Sequence, residues 1–260
     1  MAELNGCTVQ EADLERLALV NYGHFTTLRV EQNQVRGLAL HLERLRRDCA
    51  TLFDASLDLN YVQFLIRQAT EGHAQPCIVR VTLFDPALQL GHPGANAKPQ
   101  VLTTTRPCPT VALSPLRVQT TCYSRELPTV KHVGLCAGLF HRRRAQRAGY
   151  DDVLFTDTQG HVCEGSTWNV ALFDGQQLIW PQGPALPGVT MSLLRHHYHG
   201  AMVARPVMLD ELPSMQAVFA TNAVVGLRPV QAIGDFHFGV AEALLQTLQQ
   251  CYQAIPPEPL

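Results

Sequence analysis

Val130-Lys131-His132-Val133-Gly134-Leu135-Cys136-Ala137-Gly138-Leu139-Phe140 is mostly small and apolar, yet it holds one of only two lysines in the chain. The other, Lys98, sits among turn formers in Gly91-His92-Pro93-Gly94-Ala95-Asn96-Ala97-Lys98-Pro99, which reads as an exposed loop. Burial disfavours the charged form of an amine and lowers its pKa. A lysine neutral near pH 7 is a nucleophile that can form a Schiff base. A solvated lysine at a helix start is the plainer alternative for Lys131, and the remaining sequence has to decide between the two.

The chain has 260 residues and a formal charge of −2, long enough for one large or two modest domains. That balance gives no global field for nucleic acid or membranes. The basic cluster Arg142-Arg143-Arg144 with Arg147 falls on a predicted helix and reads as a solvated face. No apolar run approaches the ~20 residues of a membrane span. Eight cysteines are scattered without a CxxC pair, and His196, His197 and His199 lack an acidic neighbour in sequence, so no metal site is expected. The start at Met1–Asn5 lacks the regions of a signal peptide. With no disulfide framework, the expected setting is a reducing cytoplasm.

Leu38, Leu42, Leu45, Cys49 and Leu52 step by four and three, an amphipathic helix. A strand at Phe25–Val30 precedes it. A helix at Leu59–Glu71 and strands at Ile78–Phe84 and Gln100–Thr105 follow. The proline-rich stretch 106–115 cannot continue a ladder or helix and reads as a linker. Beyond it are a strand at Leu116–Tyr123 and a helix from Val133 to Ala148 stopped by Gly149. Strands then come at Val153–Thr156, Val162–Glu164, Asn169–Phe173 and Gln177–Trp180, with Asp174-Gly175 as a hairpin turn. Helices are expected near Val189–His199 and Gly239–Gln253.

Three further pieces join Lys131. Glu164, in Cys163-Glu164-Gly165-Ser166-Thr167-Trp168-Asn169-Val170, is a carboxylate in an apolar strand region, costly without a partner such as a protonated pyridine nitrogen. Leu186-Pro187-Gly188-Val189-Thr190 opens a helix, and free N–H groups with the positive dipole end make an anion cup. Arg44 lies beside the apolar stripe of its helix, able to reach inward to a phosphate. An amine, a carboxylate for a ring nitrogen, an anion cup and a phosphate-pairing arginine are what pyridoxal 5'-phosphate requires. Each piece alone has an ordinary structural explanation as a surface or capping residue.

In this order and spacing the motifs resemble the class IV, fold-type IV, pyridoxal-phosphate enzymes: branched-chain and D-amino-acid aminotransferases and aminodeoxychorismate lyase. The resemblance runs from about Asn21 to about Val230. His41-Leu42-Glu43-Arg44-Leu45 matches the family's HxxRL motif, and Glu164 follows Lys131 by 33 residues, 164 − 131. The resemblance implies a mixed α/β (α+β) fold, an N-terminal α/β sandwich at 1–107, a linker at 108–118 and a C-terminal pseudo-barrel domain at 119–260 carrying the Schiff-base lysine. It implies Lys131 as the catalytic residue. Arg44, Glu164, Gly188, Val189, Thr190, Asn222 and Ala223 would bind the cofactor, and Tyr22, Phe25, Thr27, Arg80 and His132 are candidates for the substrate pocket. The implied activity is an aminotransferase acting on a small amino compound, in a cytoplasmic homodimer. The alternative is a 4-amino-4-deoxychorismate lyase releasing pyruvate and 4-aminobenzoate, suggested by the Lys131-His132 pair. A non-catalytic paralogue is the alternative of another class, argued against by the presence of Lys131 and Glu164. Leu83-Phe84 stands where many members carry Arg-Gly, a substrate-carboxylate site in the D-enzymes. By strict alternation Arg80 shares a face with Thr82 and not with Leu83.

Overall fold

A computed structural model describes residues 2–109 and 114–260, which form two compact units. The first holds β1 (Ala2–Leu4), β2 (Cys7–Thr8), α1 (Glu11–Val20), β3 (His24–Glu31), β4 (Gln34–Val35), α2 (Leu38–Phe53), α3 (Leu59–Thr70), β5 (Cys77–Phe84) and β6 (Gln100–Pro107). The expected stripe Leu38, Leu42, Leu45 and Cys49 is buried on α2. It packs with Val62, Leu65 and Ile66 of α3 against Leu28, Val30, Val79, Val81 and Leu83 of the sheet. Asp58 caps α3 by accepting the N–H groups of Asn60 and Tyr61. The β3 residues alternate: His24, Thr26, Leu28 and Val30 are buried, while Arg29 and Glu31 are exposed. Two layers result, helices on an antiparallel sheet. Helix α1 was not read from the sequence, and its apolar residues do not form a buried face. None of its residues is buried, and Leu14 and Leu19 face solvent.

The second unit holds β7 (Leu116–Cys122), α4 (Cys136–Arg147), β8 (Asp152–Thr156), β9 (Val162–Gly165), β10 (Asn169–Phe173), β11 (Leu178–Pro181) and α5 (Val189–His197). It continues through β12 (Met202–Arg205), a 3-10 turn (Leu209–Ser214), β13 (Ala217–Asn222), β14 (Gly226–Ile233), β15 (Phe236–His237) and α6 (Glu242–Ala254). Strands β10, β13, β14, β7, β8 and β9 pair in that order, and β9 pairs back to β10 through Glu164 and Asn169. The sheet therefore closes into a six-stranded barrel. Alternate residues fill its interior, among them Val118, Leu154, Val162, Val170, Leu172, Val218 and Val230. On the outside, Ala171 and Phe219 pack on Leu194 of α5 and Leu248 of α6.

The last residues return to the first unit as β16 (Glu258–Pro259), which pairs with β4 and completes a seven-stranded sheet. Residues 130–134 also belong to the first unit, not to the second as the sequence led us to expect. The Phe25 N–H donates to Lys131 O (2.8 Å) and the Val133 N–H to Gly23 O (2.9 Å), so the segment docks against the start of β3. Helix α4 accordingly starts at Cys136 and not at Val133. Strand β7 begins inside the expected 108–118 linker, of which residues 110–113 lie outside the described residues.

One buried group makes the fold sensitive to acid. The His24 ring is fully buried, 6.1 Å from that of Phe53, and its nitrogens have no hydrogen-bond partner among the described residues. Burial pushes its pKa down to about 4, against a smaller upward pull from Asp48 and with a further downward push from Arg47. The unfolded chain takes up this proton near pH 6.5 and the folded one only near 4, so the stabilisation is complete above 6.5 and is lost as pH falls between them. The loss is about 3 kcal/mol. Denaturant midpoints measured between pH 7 and 4.5 are expected to fall less in His24→Leu than in the unsubstituted chain. A residual slope remains from His41, whose pKa burial also lowers.

Candidate active site

In the first unit, β3 pairs with β5 so that Phe25 faces Thr82 and Thr27 faces Arg80. These side chains share the sheet face opposite α2. The Arg80 guanidinium lies 3.6 Å from the Phe25 ring centroid, and its Nε donates to Thr82 Oγ1 (3.2 Å). The Lys131 Nζ stands 4.9 Å from the centroid of the same ring. Two cations against one aromatic ring make this part of the first unit positively charged. Arg44 is buried on α2, 6% exposed. One turn earlier the His41 Nδ1 pairs with Thr26 Oγ1 (2.7 Å), which ties α2 to β3. After burial, the neighbouring charges of Arg44 and Lys131 hold His41 well below its usual pKa. It is a neutral spacer near these two cations.

In the second unit, Glu164 lies on β9, 5% exposed. Its Oε2 accepts the Leu186 N–H (3.1 Å), and its Oε1 is 3.7 Å from Arg125 Nη1. Asn169 Nδ2 donates to Leu186 O (2.7 Å). The Leu186 residue is thus held at both polar groups, which sets the approach of Pro187-Gly188 to α5. A Cβ on Gly188 would collide with Asn169 Oδ1, so a larger residue there would displace the Asn169 amide that holds Leu186. The start of α5 has no side-chain cap, and the buried Thr190 Oγ1 has no hydrogen-bond partner among the described residues. A buried hydroxyl without a partner beside free N–H groups is a receptor for an anion. Asn222 ends β13 with Oδ1 accepting the N–H groups of Val224 (3.0 Å) and Val225 (2.9 Å). Ala223 follows it in that turn.

The sequence model of the class IV amino-transferase family matches residues 23–233. The chain belongs to this family. Among curated relatives, a mitochondrial branched-chain amino acid aminotransferase of Humulus lupulus is 36% identical over 97 residues, 35% of this chain. That match spans only 25% of the relative's length. The structure of a hypothetical aminotransferase from Mycobacterium tuberculosis, in a PLP-bound form, superposes with a TM-score of 0.82 at 19% identity, covering 98% of this chain and 98% of that one. A putative 4-amino-4-deoxychorismate lyase from Legionella pneumophila does so at 0.84 and 21% identity, covering 96% and 97%. The sandwich and barrel are the fold of class IV enzymes.

Within that family fold the expected residues sort as follows. Lys131, Phe25, Thr27 and Arg80 are brought together in the first unit. Glu164, Gly188, Val189 and Thr190 are brought together in the second. Tyr22 is not on the Phe25 face: its hydroxyl donates to Leu52 O (2.8 Å) and its ring meets Phe53 edge-on at 5.4 Å. His132 bridges to His24, on the side away from Phe25. The α2 face therefore holds both residues. Leu83 is fully buried in the core, and Arg80 keeps the face that alternation gave it.

Sequence reading missed Asp48, Arg125, Asp152 and Asn169. The signal available for Asp48 was its place three residues after Leu45 on an apolar stripe. Asp152 clamps the turn after Glu164: it accepts Ser166 Oγ (2.6 Å) and Trp168 Nε1 (3.2 Å). A Cβ at Gly165 would overlap the Trp168 ring that Asp152 anchors. Gly165→Ala is expected to destabilise the protein by about 1–3 kcal/mol through this overlap, read as a shift of the denaturation midpoint.

Proposed function

We propose that this chain is a pyridoxal-phosphate-dependent aminotransferase acting on an amino acid or small amino compound. The observation that carries the reading is Lys131, whose amine stands over the Phe25 ring beside Arg80 in a member of the class IV family. The residues present fit the cofactor. Thr190 offers a buried hydroxyl without a partner at a helix start, and Glu164 offers a buried carboxylate. When bound, pyridoxal phosphate supplies an electron sink for charge developing at the substrate α-carbon.

The roles follow from the residues themselves. Lys131 would hold the cofactor covalently, and its amine would take and return the substrate α-proton. Glu164 would hold a proton at the ring nitrogen, since a carboxylate favours a neighbouring positive charge. The N–H groups of Val189 and Thr190 after Gly188, together with Arg44, Asn222 and Ala223, would hold the phosphate. Arg80, on the face of Phe25 and Thr82 and not on that of Leu83, would take the acid group of the substrate. Phe25 and Thr27 line the same face.

The reading includes a homodimer, supported by the exposed Leu139 (52%) and Phe140 (54%) on α4, and mass measurement of the active species checks it. No helix among the described residues is long and apolar enough to cross a membrane. A cytoplasmic setting is part of the proposal. The Lys131-His132 pair favours, as a second reading, lyase chemistry on 4-amino-4-deoxychorismate. The deciding experiment pairs a screen of amino donors and keto acids with an assay for 4-aminobenzoate release. Amino transfer supports the aminotransferase. Release of 4-aminobenzoate with pyruvate replaces it by the lyase. Neither product, together with no absorbance from bound cofactor, returns the non-catalytic paralogue.

A further inference from the structure

Asp48 on α2 has a side chain fully out of solvent. A buried carboxylate is retained only with good partners, and this one has two of different kinds. Its Oδ1 accepts from Arg47 Nε (3.1 Å) and Nη2 (2.8 Å). Its Oδ2 accepts the backbone N–H of Lys131 (2.9 Å). The carbonyl of Lys131 in turn accepts the Phe25 N–H (2.8 Å). Both polar backbone groups of this residue are therefore tied, one to α2 and one to β3. The segment lies outside any helix, since α4 begins only at Cys136. No helical ladder holds the Lys131 N–H, and Asp48 does so in its place.

We infer that Asp48 is a positioning residue for Lys131. It fixes the backbone so that the ε-amine stands over the Phe25 ring beside Arg80. This rests on the reading of Lys131 as the cofactor-holding lysine. A carboxylate suits the task because its two oxygens serve the guanidinium and the N–H at once, and a hydrogen bond to an ionised acceptor is strong. A hydroxyl or a single amide carbonyl has one such acceptor atom to give. The consequence is kinetic, because displacement of a reacting group by about 1 Å can cost ~100-fold in rate.

Asp48→Ala, which removes both acceptors, is compared with Asp48→Asn, which has the same shape and keeps one. In the cofactor-free full-length chain, amide exchange across residues 130–133 is expected to quicken at least ~10-fold in Asp48→Ala, because a freed N–H exchanges through local opening. In the holoenzyme, kcat is expected to fall ~100-fold with KM nearly unchanged, and Asp48→Asn to recover at least ~10-fold of that loss. Asp48→Ser, whose side chain is too short to reach, takes the place of Asp48→Ala should that variant not fold. Unchanged exchange, an unchanged kcat, or an asparagine variant no better than the alanine one overturns the inference. Failure of the underlying reading appears separately, as absence of a cofactor adduct on Lys131 in the unsubstituted chain after borohydride reduction. That result removes the role of Asp48 with it.

Discussion

Borohydride reduction of the holoenzyme is expected to fix the cofactor on Lys131 and to leave Lys98 unmodified. The chain offers only these two ε-amines. Lys98 is exposed, in a loop anchored through its backbone N–H to Asp85 (2.8 Å), so its ammonium stays hydrated. Lys131 is half-buried with its amine against an aromatic face. Lys131→Ala is expected to lower turnover by roughly 10³-fold or more, as loss of a covalent nucleophile does. The fold should survive, because the anchors of this residue are its N–H to Asp48 and its carbonyl to Phe25, and alanine keeps both. Peptide mapping of the reduced protein, kcat and a thermal melt check the three parts. An adduct on Lys98, or full activity in Lys131→Ala, overturns the mechanism.

Glu164→Gln is expected to have the next largest effect. Glutamine keeps the shape and an oxygen for the Leu186 N–H, so the entry to α5 should stay in place. What it lacks is the charge that stabilises a proton on a neighbouring ring nitrogen. Removing one member of a buried charged pair costs about 3–5 kcal/mol. Expressed in the transition state, that is roughly 10²–10⁴-fold in kcat. Cofactor affinity should change much less, since the phosphate contacts assigned to Arg44 and Thr190 are intact. Steady-state kinetics beside cofactor titration separates the two. A variant that retains kcat while losing the cofactor would move Glu164 from a chemical role to a structural one.

The parts of this molecule that the sequence made legible are those encoded by near neighbours. The stripe on α2, the alternation in β3 and the glycine stop after α4 are set by residues two to four positions apart. So is the anion-receiving start of α5, where the residues that open a helix are contiguous. Strands β13 and β14 were not read as strands, although Asn222 and Ala223 were singled out where β13 ends. They pair with each other across a short turn, but their outer partners, β10 and β7, are distant in the chain, and no local pattern names those. Closure of the barrel at Glu164 and Asn169 is of the same kind.

By itself, then, the sequence determined which groups are present: one amine in an apolar segment, one carboxylate in a strand, one glycine-led helix start and one inward arginine. It placed them in an order that marks a class IV enzyme. Only the tertiary structure decided where Lys131 stands. Its local residues read as the start of a helix, but the acceptor of its N–H lies 83 positions away on α2. The same holds for Arg80, whose face follows from alternation but whose contact with Phe25 depends on the register of β3 against β5. Periodicity fixes which side of an element a residue occupies. Hydrogen-bond partners and register are set by the whole chain at once, because every buried polar group must find its partner wherever the fold brings one.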